Sequence, residues 1–87
     1  MTYVNSFFSR EDRFAIGMEK ESGKYYVSIP VSNSYVDYNE YYEIDKASFE
    51  RFLANPDSAR PFVDQCKAQK MDHLLLVKPG SNRGTAG

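Results

Sequence analysis

The chain contains one cysteine, one histidine and no tryptophan in 87 residues. A lone cysteine closes no internal disulfide, and one histidine beside it cannot furnish a structural zinc site, so neither staple is open to this fold. No apolar run approaches the roughly 18–20 residues that a membrane helix needs, the longest being Leu74 to Val77. The N-terminus lacks a basic start followed by an apolar stretch, so no secretory signal is expected and a cytoplasmic address is the default. Eleven basic groups against twelve acidic give a net charge of −1, which lacks the basic excess of a general polyanion binder. The length allows one domain, and one of this size hides only about 60–65% of its unfolded surface.

What is present in excess is aromatic: six Phe and seven Tyr. These side chains bury roughly 150–250 Å² each and can stabilise a small core without staples. Charge is segregated too. Between Lys24 and Lys46 there is no Lys or Arg, while Asp37, Glu40, Glu43 and Asp45 fall there together with Tyr25, Tyr26, Tyr35, Tyr38, Tyr41 and Tyr42.

Phe14, Ile16 and Met18 alternate, predicting a half-buried strand. Glu21-Ser-Gly23 supplies a turn, and Tyr25, Val27, Ile29 and Val31 predict the second strand of a hairpin. Pro30 cannot donate to a ladder, so the later half of that strand is expected at an edge or a bulge. Tyr35 to Ile44 predicts a third strand, with Val36, Tyr38, Tyr42 and Ile44 on one face and Tyr35, Asp37, Asn39, Tyr41 and Glu43 on the other. Glu40 interrupts the apolar face, which calls for either a bulge near Asn39 or a partner for its carboxylate at an edge. Asp45 is a suitable N-cap for a short helix carrying Phe49, Phe52 and Leu53. A second helix begins near Asp57 or Ser58 and carries Ala59, Phe62, Val63 and Cys66. Leu74 to Val77 reads as a short strand able to enter the sheet centrally, and residues 1–8 are left open between a strand and a docking arm.

The expected fold class is therefore α+β: an antiparallel sheet of three or four strands with two short helices packed on one face, in the order β-β-β-α-α-β. Residues 1–78 are expected to form a single domain and 79–87 a flexible C-terminal tail.

No catalytic constellation stands out, so the expectation is a protein that is not an enzyme. Cys66 with His73, oriented by Asp64 or Asp72, could make a nucleophile and base on paper, but Cys66 continues an apolar helical stripe where a small core residue is ordinary. No ligand spacing suggests a metal, and no cofactor is implied. Paired carboxylates in the acidic window could perform glycosidase-type chemistry only inside a cleft, which so small a domain hardly provides. Gly80 to Gly84 could wrap a phosphate through its amides, but no helix follows it and a terminal tail is the simpler reading. Sheet tyrosines can stack bases, yet here carboxylates accompany them and repel phosphates, so neither a nucleic acid nor a membrane is expected as partner.

A tyrosine-rich face edged with carboxylates has the composition of a protein-binding patch. Tyr35, Asp37, Asn39, Tyr41 and Glu43 are the candidate partner-binding residues, the tyrosines as anchors and the carboxylates as complements to Arg and Lys. The plainer alternative is that Tyr38 and Tyr42 fill the core while Asp37, Glu40 and Glu43 keep an edge strand soluble. The run Gly23-Lys-Tyr-Tyr-Val-Ser-Ile-Pro-Val-Ser-Asn33, then Val36-Asp-Tyr38, Glu40-Tyr-Tyr-Glu-Ile44 and Leu74-Leu-Leu-Val-Lys-Pro-Gly-Ser-Asn-Arg-Gly84, resembles the small bacterial immunity proteins of polymorphic or contact-dependent toxin systems. The resemblance implies a cytoplasmic inhibitor that occludes a basic site on a cognate toxin, often a nuclease. A homo-oligomeric module, possible as a homodimer, and a small enzyme using Cys66 or the acidic window are the alternatives.

Overall fold

The computed structural model describes residues 2–32, 37–78 and 84–86. Four antiparallel strands lie side by side in chain order: β1 (Tyr3–Ser9), β2 (Phe14–Glu19), β3 (Tyr25–Ser32) and β4 (Asp37–Ile44). Helices α1 (Lys46–Ala54) and α2 (Arg60–Lys67) follow, joined by a 3-10 turn over Pro56–Ala59. The α+β class and the block of strands followed by helices are as the sequence pattern predicts.

Strand alternation divides the sheet into a covered and an open face. Phe14, Ile16, Val27, Ile29, Val31, Tyr42 and Ile44 form the covered face and pack with Phe52, Ala59, Val63 and Cys66 of the helical segment. Phe49 and Phe62 pack at the margin of this core, half-buried. Asp45 caps α1, its Oδ1 accepting from the Ser48 amide at 2.7 Å. Pro61 stands in the first turn of α2, where amides lack helical partners. Gln69, in the left-handed region at φ 62°, ends that helix.

Residues 3–9 are the first strand, which settles the reading left open for the N-terminus. Pro30 lies in an inner strand, not an edge. The β2 ladder on β3 stops at the Ala15–Ser28 pair, and β5 (Thr85–Ala86) pairs further along with Val31 and Ser32. Pro30 falls in the gap between those two partners. The β3–β4 register runs without a bulge, so Glu40 points into the covered face, opposite Ile29. There the Tyr42 hydroxyl donates to Glu40 Oε1 at 2.9 Å.

The expected last strand is placed differently. Leu74–Val77 is not a central strand: Leu75 makes a single bridge to Tyr42, and the Leu76 amide donates to the Tyr41 carbonyl at 2.9 Å, both at the outer edge of β4. The hairpins already give β2 and β3 neighbours on both sides along most of their length, so only an outer edge was free. Of the expected tail 79–87, residues 79–83 and 87 lie outside the described residues; Gly84 donates to the Tyr38 hydroxyl at 2.7 Å and Thr85–Ala86 add to the sheet.

The β2–β3 hairpin closes around one carboxylate. Glu19 is buried, and it accepts the amides of Thr2 and Glu21 on Oε2, each at 2.9 Å, and that of Ser22 on Oε1 at 2.8 Å. Gly23, at φ 73°, completes the turn and donates to the Glu19 carbonyl at 2.9 Å. The amides, that of Glu21 foremost, pull the Glu19 pKa down from 4.5 to about 2. A depressed pKa contributes stability that is fully present above pH 4.5 and lost as pH falls towards 2. Urea unfolding across that interval should show stability declining with acid, and Glu19→Gln should be less stable at neutral pH with a flatter acid slope. An unaltered slope in the variant would assign the acid sensitivity elsewhere.

Candidate functional site

The open face is built on a glycine. Gly17 of β2 stands opposite Tyr26 of β3, and the absence of a side chain lets the Tyr26 ring pass over the strand. A Cβ at position 17 would run into the Val4 carbonyl oxygen and come within 2.6 Å of the Tyr26 hydroxyl. Tyr26 thereby reaches β1, where its hydroxyl donates to Asn5 Oδ1. It is fully buried although no helix covers it. Burial first, then the neighbouring Tyr41 and Tyr3, push its pKa up to about 12.

The cover comes from the outer strands. Tyr3 of β1 and Tyr41 of β4 are separated by two strands, about 14 Å at ordinary strand spacing, yet their rings stack at 3.6 Å with planes 11° apart. Both meet the Tyr26 ring nearly edge-on, at 5.4 and 5.0 Å. Such aromatic contacts contribute about 0.5–1.5 kcal/mol beyond the area they bury.

Asp37, Asn39, Tyr41 and Glu43 share this face, as the alternation in the sequence predicts, and Tyr35 lies outside the described residues. Asp37, Asn39 and Glu43 are exposed, and Tyr41 is half-buried in the stack. The acidic window is cation-free only along the chain: Lys24, from the β2–β3 turn, lies 3.6 Å from Glu43. The other described tyrosines lie on the covered face. Tyr42 is buried under the helices, Tyr25 packs on Phe49 at 4.4 Å between centroids, and Tyr38 is half-buried.

Sequence reasoning missed the far end of this face. There a groove of about 480 Å³ opens over short side chains, Ala15, Ser28 and Pro30. Its rim carries Phe8, 56% exposed, with Arg10 and Arg13 from the β1–β2 turn and Asn5 and Asn39 from the outer strands. The only available signal was the strand character of residues 3–9, which places Phe8 and Arg10 beside β2.

Cys66 is a core residue. It is fully buried beneath the sheet, and burial, with the charges of Glu40 and Asp72, pushes its thiol up to about 12. His73 is exposed on the 3-10 turn Asp72–Leu74. Among the described residues no three His, Cys, Asp or Glu side chains gather as a metal site, and no helix is long and apolar enough to cross a membrane. No family model matches the chain, and no curated protein or solved structure is found similar to it.

Two substitutions separate the parts of the tyrosine cluster. Tyr26→Phe keeps the packing and loses one hydrogen bond, an expected cost of about 1 kcal/mol in chemical unfolding. Gly17→Ala forces backbone apart and should cost about 3 kcal/mol or more. Equal, small effects would mean that Tyr26 does not lie across Gly17.

Proposed function

We propose that the protein is a non-catalytic binding module of the immunity type, a cytoplasmic inhibitor that covers a basic site on a cognate bacterial toxin with the open face of its sheet. The observation that carries this reading is the β4 margin of that face, where exposed Asp37 and Glu43 flank a half-buried Tyr41. Stacking on Tyr3 already fixes the Tyr41 ring, so a partner that packs on its exposed edge spends little on ordering it. Asp37 has no ion-pair partner among the described residues, and Glu43 has only an exposed contact with Lys24, of the kind worth little in water. Both carboxylates remain available to steer a basic surface.

A second reading has its own observation. From Thr2 to Ser9 the edge strand β1 carries no charge, and it exposes Val4 by 39% and Phe8 by 56%. An uncharged edge is a template for pairing with another copy. A register shift between Asn5 and Phe7 interrupts it, and bulges blunt such edges, so partner binding stands first. Sedimentation at micromolar concentration separates the two, since self-association through β1 requires a dimer.

For a partner captured from the native host, Asp37→Lys combined with Glu43→Lys should slow association by about tenfold or more and weaken its salt dependence. Glu50→Lys on α1, away from the open face, should leave the rate unchanged. Association equally fast in the first variant would remove the β4 margin from the contact.

A further inference from the structure

The groove over Ala15, Ser28 and Pro30 adjoins the β4 margin at Asn39 but has a different chemistry. Its two charged rim residues are both arginines, and among the described residues no carboxylate lines it. Asp12 of the same turn is engaged elsewhere. Arg60 of α2 lies 3.0 Å from Asp12 Oδ2, Lys67 donates to the Asp12 carbonyl at 2.7 Å, and the charge of Glu11 also acts on Arg60. These contacts tie the turn to the helical layer through Asp12, while Arg10 and Arg13 line the groove with no ion pair among the described residues. Arg13 sits in the left-handed region at φ 56°, a conformation a non-glycine residue adopts at a cost.

The remaining walls suit a flat organic group. Phe8 offers an exposed ring, and the floor of Ala15, Ser28 and Pro30 leaves space of the order small-ligand pockets occupy, about 300–1,000 Å³. Guanidinium groups match the planar oxygens of carboxylates and phosphates, donating two hydrogen bonds at once. Asn5 and Asn39 also line the groove; Asn5 Oδ1 accepts from the Tyr26 hydroxyl, which leaves its Nδ2 for ring substituents.

We propose that this groove binds a small organic anion built on a flat ring, its carboxylate or phosphate held by Arg10 and Arg13 and its ring laid against Phe8. This site goes beyond the partner reading and does not depend on it, since of the partner-binding candidates only Asn39 lines the groove and neither Asp37 nor Glu43 does.

Amide chemical-shift titration of the whole chain with benzoate, AMP, inorganic phosphate and benzyl alcohol tests the site. Benzoate or AMP should saturate, with the shifts centred on Phe8, Ala15 and Ser28, and should bind at least about tenfold more tightly than inorganic phosphate or benzyl alcohol. Tighter benzoate identifies a carboxylate ligand, and tighter AMP a phosphate ester. Arg10→Gln, and Arg13→Asn, chosen because asparagine tolerates the left-handed backbone, should each weaken the preferred probe by about tenfold. Arg51→Gln on α1 should not. The proposal is overturned if neither probe saturates, if inorganic phosphate binds as well as both, or if both groove variants bind like the parent protein.

Discussion

A four-stranded sheet covered by helices on one side must close its other side with its own residues, and in this chain the contact that does so is Tyr26 lying across Gly17. A domain this small has no second helical layer to spare. The missing side chain at position 17 allows one large ring to fill the middle of the open face and to hydrogen-bond a third strand. Tyr3 and Tyr41 then lean in from the outer strands and stack above it. The ends of the sheet are tied by the same economy. Glu19 collects three backbone amides where the N-terminus meets the β2–β3 turn, and Arg60 with Lys67 fastens the β1–β2 turn to α2.

This closure determines what the open face offers. The stacked tyrosines fill its middle, so the surface left for recognition lies to either side. Along β4 it is acidic, with Asp37 and Glu43; beyond the short residues Ala15 and Ser28 it sinks into a groove rimmed by arginines. The two regions have opposite charge on one continuous sheet. The near-neutral total of −1 conceals that division as thoroughly as it conceals the segregation along the chain.

Much of the fold was legible because hydrophobic alternation and capping are local signals. Phe14-Ile16-Met18, the Asp45 cap and the Ala59-Phe62-Val63-Cys66 stripe each define an element without knowledge of the rest. The face assignments of Asp37, Asn39, Tyr41 and Glu43 follow from the same period of two. What was not legible depends on register across strands. Nothing near Gly17 in the chain announces that Tyr26 will cover it, so Tyr26 could be read only as one more residue of an aromatic window. Residue type alone does not sort the aromatics either: Tyr26 and Tyr42 are fully buried, whereas Phe8 is exposed. Glu40 offered two readings, a bulge or a partner, and the unbroken pairing of β4 with β3, which sets Glu40 opposite Ile29 and on the same face as the Tyr42 hydroxyl, decides between them. The groove was invisible because its rim combines β1, the β1–β2 turn and β4, which are far apart in sequence.

The claim on which the rest stands is that Tyr3 and Tyr41 interact directly above Tyr26 and so join the two outer strands. A double-mutant cycle of Tyr3→Ala and Tyr41→Ala, followed by chemical unfolding, measures that contact alone. A coupling of about 0.5–1.5 kcal/mol is predicted from the stacked geometry. Additive losses, with coupling below about 0.3 kcal/mol, would show that the rings do not meet and that the open face is closed in some other way.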